Sequence, residues 1–171
     1  MANKPKAKYW SVDKIRPLPN KLYKSVYGDD YDDNWELRLA SLSESEKETL
    51  RPILESSKFE SIFLVPEVEK PQHIRTPDLL INGRRVEIKE ISSKRSIEKQ
   101  TSKARKQAGD DGLIIYDISR SQLSKTEIIS EITKRSLNKQ VAGFIVSNKR
   151  IVVSVGFLNI EKTGYSSASY A

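Results

Sequence analysis

A chain of 171 residues is long enough for one domain with a sizeable core and too short for two ordinary ones. Its 37% hydrophobic and 31% charged residues suit a globular fold, and no apolar run approaches the roughly eighteen residues that a bilayer helix requires. Cysteine is absent and His73 is the single histidine, which excludes disulfides, thiolate chemistry and a histidine-pair nuclease, so any catalysis falls to carboxylates and lysine. A net charge of +7 favours a polyanionic partner such as nucleic acid.

Residues 1–40 read as an irregular lead-in. Pro5, Pro17 and Pro19 forbid a long helix, and Gly28 to Asp33 is an acidic, turn-rich patch. Tyr9, Trp10, Tyr23, Tyr27 and Trp35 imply that the lead-in packs onto the core that follows, over 41–160. The N-terminus is basic and lacks the apolar stretch of a signal peptide. Ser43 and Glu46 have capping-box spacing and predict a helix over 44–57 with Leu50, Ile53 and Leu54 on one face. A buried strand over 61–65 ends at Pro66, and a Pro-rich loop carries Glu67 and His73. Residues 78–90 form a hairpin, and a basic helix over 96–108 stops at Gly109. The apolar run Leu113–Tyr116 has the character of a central strand, followed by an amphipathic helix over 124–137. A second hairpin pairs 143–146 with 151–155, and 161–171 reads as a flexible tail. The order implies an α/β fold, a central mixed sheet flanked by helices.

The first hairpin carries the chemistry. Asn82-Gly83 is a strong two-residue turn signal, and it sets Leu79 against Val86 and Asp78 against Glu87. Alternation puts Leu79, Ile81, Val86 and Ile88 on one face and Asp78, Glu87 and Lys89 on the other. Directly opposed residues stand roughly 4.5–5.5 Å apart at Cβ, where two carboxylates repel. A divalent cation between them removes the repulsion, and magnesium accepts one or two carboxylates plus water and phosphate oxygens. Lys89 points the same way and suits the handling of the attacking water or of charge growing on phosphorus. An amphipathic hairpin with a merely solvated polar face is the plainer alternative. It does not account for acid facing acid with lysine two residues on.

Thr76-Pro-Asp-Leu-Leu-Ile-Asn-Gly-Arg-Arg-Val-Glu-Ile-Lys89 resembles the signature of the PD-(D/E)xK nuclease superfamily. Over about 65–117 it looks most like the C-terminal tRNase toxin domains of contact-dependent growth-inhibition and related polymorphic toxin systems. The resemblance implies a restriction-endonuclease-like core, Asp78 and Glu87 as ligands of Mg²⁺ or Mn²⁺, and Lys89 as the catalytic lysine. It also implies an acidic residue from the preceding helix, for which Glu46 is the candidate with Glu48 and Glu55 open. A polar residue from the following helix is expected too, Gln100 or Gln107. Arg85, Lys99, Lys103 and Lys106 lie in the basic stretch from Arg84 to Lys106 and suit phosphate contact. On that resemblance the substrate is RNA, tRNA favoured, with a DNA endonuclease of a restriction, repair or mobile-element system as the nearest rival. A non-catalytic nucleic-acid-binding module is the third reading. The resemblance further implies an immunity protein and action in the cytoplasm of a target cell, after delivery within a larger secreted protein.

Overall fold

The computed structural model describes residues 5–109, 111–139 and 142–155, so the tail expected over 161–171 lies outside the described residues. Among the described residues the α-helices and strands follow in order: β1 (Arg16–Pro17), α1 (Tyr23–Tyr27), β2 (Glu36–Arg38), α2 (Glu44–Ser56), β3 (Ile62–Leu64), β4 (Glu67–Lys70), β5 (Leu79–Ile81), β6 (Arg84–Glu90), α3 (Lys94–Ala108), β7 (Leu113–Asp117), α4 (Lys125–Lys139), β8 (Ala142–Ser147) and β9 (Arg150–Val155). Among the described residues seven strands form one sheet in the order β1-β3-β5-β6-β7-β8-β9, and β2 pairs with β4 in a small separate ribbon. Strands β6, β7 and β8 run parallel, while β5 against β6 and β8 against β9 are antiparallel. The mixed α/β architecture expected from the element order is therefore the one observed.

Local chemistry explains the main elements. Ser43 Oγ accepts from the Glu46 backbone while Glu46 Oε1 accepts from Ser43 N–H at 2.9 Å, so α2 starts on a complete capping box. Ser93 and Ser96 build the same device for α3, which begins at Lys94, two residues earlier than its apolar pattern suggests. Asn82 and Gly83 have φ of 49° and 79°, the left-handed pair that a tight hairpin turn needs. Asn82 Oδ1 also accepts from Glu60 N–H at 2.8 Å, fastening the turn to the segment before β3. The hairpin register is as the turn dictates, with Leu79 opposite Val86, Leu80 opposite Arg85 and Ile81 opposite Arg84.

The sheet is covered on both faces. On one, Leu50, Ile53 and Leu54 of α2, with Val12 and Ile15 of the lead-in, pack on Leu79, Val86, Ile88, Leu113, Ile115 and Phe144. On the other, Ile97 and Ala104 of α3 and Ile128 and Ile132 of α4 pack on Ile114, Tyr116 and Ile145. A third, smaller cluster sets Leu18 and Val26 against Val65 and Leu80. Fully burying one such aliphatic side chain contributes about 1.5–3 kcal/mol, so α2 is held chiefly by its apolar face.

Two expectations change. The lead-in is more regular than its prolines suggest, because β1 extends the sheet beside β3 and β2 joins the ribbon. Glu67 is not on a loop: it stands on β4, ion-paired with Arg38 of β2, and Arg38 also reaches Glu69 at 3.8 Å. Glu-Val-Glu-Lys has one apolar residue and faces solvent, so its pairing lies in cross-strand charges that no hydrophobic pattern announces.

Candidate active site

Asp78 sits where the β5–β6 ladder ends. Its N–H still donates to Val86 O at 3.0 Å, but its side chain takes over the next rung: Oδ2 accepts from Ile88 N–H at 2.8 Å. Beyond this point β6 continues to Glu90 without β5 beside it. Antiparallel pairing places Asp78 toward the carboxyl end of β6, and β6, β7 and β8 are parallel. The site thus lies at the carboxyl ends of parallel strands, where open α/β sheets hold their ligands.

Glu87 and Lys89 point to the same side of β6. That side carries the α1 cluster over Leu80 and the α3–α4 layer over Ile114 and Tyr116, and the two residues emerge between them. Glu87 is 2% exposed, and Lys89 Nζ lies 3.1 Å from Glu87 Oε1. The second oxygen of Glu87, Oε2, is buried and has no hydrogen-bond partner among the described residues. An uncompensated carboxylate oxygen in a dry site is costly, and such groups in native folds call for an explanation.

Electrostatics agree with the geometry. Burial, then the Asp78 charge, pushes the Glu87 carboxyl up to about 8, against the opposing pull of Lys89. Burial pushes Asp78 up to about 6 in spite of the Ile88 N–H bond, and the Glu46 charge adds to the rise. Two carboxyls are thus held together with one ammonium, one charge short of balance when both ionise. A divalent cation fits this donor set, since it would supply the missing charge and occupy the orphaned Oε2. Among the described residues no three His, Cys, Asp or Glu side chains gather closely enough to hold a metal, so the chain offers two carboxylates. That suits magnesium, which keeps several waters.

The remaining candidates are distributed around this centre. Glu46 completes the α2 capping box through Oε1, yet its charge is felt at Asp78. Glu48 and Glu55 are exposed, and Glu48 pairs with Lys149 at 3.7 Å. Helix α3 runs back along β6, and just beyond its carboxyl end Arg84 Nε donates to Asp111 O at 2.8 Å. Gln107 is near that end, away from Lys89, with a buried Oε1 that lacks a partner among the described residues. Among the described residues no hydrogen bond joins it to Asp78, Glu87 or Lys89. Gln100 is half-buried and lies about two turns nearer the amino end. Arg85 donates to Val26 O at 2.6 Å, which pins α1 to the sheet. Lys99, Lys103 and Lys106 are exposed on α3, and none is ion-paired among the described residues. His73 is exposed, with φ of 66°. One residue of the neighbourhood escaped the sequence reading. Asp117, buried at the carboxyl end of β7, is the polar residue that ends the run Leu-Ile-Ile-Tyr-Asp, and that abrupt stop was its only signal.

Residues 75–151 match the family model for the contact-dependent growth inhibition CdiA C-terminal domain. The match covers 77 of the 171 residues, and over that stretch the chain is similar to this family. It spans Asp78, Glu87 and Lys89 together with β5 to β8, so the toxin-like stretch is the half of the sheet that builds the site. No curated protein and no solved structure matches the chain. Among the described residues, no helix is long and apolar enough to cross a membrane.

Proposed function

We propose that this growth-inhibition toxin-like chain is a metal-dependent endonuclease that hydrolyses phosphodiester bonds in RNA, tRNA above other substrates. The observation that carries the reading is the opposed pair Asp78 and Glu87, both desolvated, with one buried carboxylate oxygen unsatisfied and Lys89 Nζ 3.1 Å from the other. A pure binding module gains nothing from two anions beside a phosphate. The preference for RNA rests on the PD-(D/E)xK and tRNase-toxin resemblance, since a phosphodiester looks alike in RNA and DNA.

Asp78 and Glu87 would hold Mg²⁺ or Mn²⁺, which when bound neutralises the scissile phosphate and polarises it toward attack. Asp78 is kept in register by Ile88 N–H, so its carboxylate cannot swing away from Glu87. Lys89 leaves its contact with Glu87 and donates to the phosphate oxygen on which charge grows, or relays the proton of the attacking water. Lys99, Lys103 and Lys106 supply a sequence-independent field that holds the backbone. The chain acts in the cytoplasm of a target cell, carried there by a larger secreted protein, and an immunity protein with an acidic surface protects the producer.

Cleavage of total tRNA and of plasmid DNA with Mg²⁺, Mn²⁺ or EDTA tests this, comparing wild type with Asp78→Ala and Lys89→Ala. Metal-dependent tRNA cutting lost in both variants is expected. Cutting of duplex DNA with tRNA untouched would move the reading to a DNA endonuclease. Metal-independent binding without turnover would leave a nucleic-acid-binding module.

A further inference from the structure

Beside the catalytic carboxylates a crevice opens on the other side of β6, at the carboxyl ends of β6, β7 and β8. It has two lobes that share Ser45, Thr49 and Asp117. The lobes hold about 120 and 190 Å³, each smaller than a drug-sized cleft and only together near the lower end of that range. Ile88 lines one lobe, and its N–H is the group bonded to Asp78, so a single peptide separates this crevice from the catalytic pair.

The crevice wall is rich in hydrogen-bond acceptors. Asp117 stands at the junction of the lobes, 6% exposed. Its Oδ1 accepts from Ser119 N–H at 3.0 Å, which fixes the carboxylate plane, and its Oδ2 has no hydrogen-bond partner among the described residues. Glu46 and Glu90 line the lobe nearer the catalytic pair, Glu48 the other. Cations sit at the rim. Arg120 and Lys149, each 68% exposed, reach Glu90 and Glu48 at only 3.9 and 3.7 Å, pairs loose enough to exchange for a phosphate.

The rim is also built under strain. Lys149 has φ of 65°, a left-handed backbone that a lysine rarely adopts, and Asn148 beside it has φ of 50°. Asn148 N–H donates to Ser119 Oγ at 2.9 Å, so the residue that orients Asp117 also holds this turn over the crevice. A glycine would relieve the strain at 149 and would remove the cation.

We infer that this crevice is a nucleobase subsite selecting guanine next to the scissile phosphate, with Asp117 reading the base and Arg120 and Lys149 meeting the flanking phosphate. This rests on the nuclease reading for its place in catalysis. Among the four bases only guanine presents two adjacent donors, N1–H and the 2-amino group, on its pairing edge. Oδ2 and the second lone pair of Oδ1 accept the two together, whereas adenine (6-amino), cytosine (4-amino) and uracil (N3–H) each offer one donor beside an acceptor that the carboxylate repels. Reading the pairing edge implies an unpaired nucleotide, because in a duplex that edge is already engaged.

The test is binding of GMP, IMP, AMP, CMP and UMP to the whole chain by calorimetric titration in EDTA, which is independent of turnover. GMP should bind tightest, with IMP, lacking the 2-amino group, between GMP and AMP. Asp117→Asn keeps the shape and the Ser119 bond, and should cost GMP roughly 5- to 150-fold, the range of one bidentate base contact, while AMP is unchanged. Arg120→Ala and Lys149→Ala should weaken all five nucleotides alike. Equal binding of all nucleotides, no binding of any, or a guanine preference that survives Asp117→Asn in a protein of unchanged melting temperature overturns the inference. Guanine-selective binding by a chain that cleaves nothing would overturn the nuclease reading and leave this subsite standing.

Discussion

Without metal, the buried carboxyl of Glu87 should make the fold lose stability as pH rises. Its folded value near 8 exceeds the ordinary 4.5, so the folded state binds the extra proton between those values. Stability from this group is fully present below about pH 4 and is lost as pH climbs through 8. At about 1.36 kcal/mol per unit, the loss is about 1 kcal/mol at pH 5 and about 4 kcal/mol at pH 8. Asp78, raised to about 6, adds a smaller loss in the lower half of that window. For a chain of this size about 3 kcal/mol corresponds to a fall in Tm of roughly 6–12 °C between pH 5 and pH 8 in EDTA. Glu87→Gln removes the titrating group, so its Tm should be nearly flat over the same range apart from the Asp78 contribution. Millimolar Mg²⁺ should restore the wild type at pH 8, do less at pH 5 and do little for the variant. Differential scanning calorimetry of both proteins at the two pH values reads this directly. A wild-type Tm in EDTA that is flat or rises from pH 5 to pH 8, relative to Glu87→Gln, would refute the reasoning.

Lys89→Ala should lower tRNA cleavage about 10²- to 10⁴-fold in single-turnover assays while leaving substrate binding within a few-fold. A parallel loss of binding would point to a structural role instead. Replacing Lys99, Lys103 and Lys106 together by Ala should weaken RNA binding uniformly and flatten the salt dependence by about 2 in log–log slope, at roughly 0.7 per contact for single strands. An unchanged slope in a filter-binding salt series would remove α3 from the interface. Gly143→Ala should destabilise by about 3 kcal/mol or more, because a Cβ there would lie 1.9 Å from Ile114 O across the β7–β8 pair. A thermal melt within a degree or two of wild type would show that this strand pair relaxes more readily than the close approach implies.

The features legible in the sequence were those fixed over short distances along the chain. Asn82-Gly83 decides the hairpin register because only residues tolerant of positive φ close a two-residue turn, and once register is set, alternation puts Asp78, Glu87 and Lys89 on one face. Ser43 with Glu46 decides where α2 begins for the same local reason. The element order gave a mixed sheet with helices, but it left out β1 and the β2–β4 ribbon, whose pairings rest on distant partners and surface charge. Tertiary structure alone decided how dry the site is. The 2% exposure of Glu87, the unsatisfied Oε2, the influence of Glu46 on Asp78 and the distance of Gln107 from Lys89 all depend on which layers close over β6. Asp117 shows the limit most clearly. Its identity is printed in the chain, yet its place between two lobes arises only when the N-terminus of α2 and the β8–β9 turn meet above β7, and no local interaction encodes that meeting.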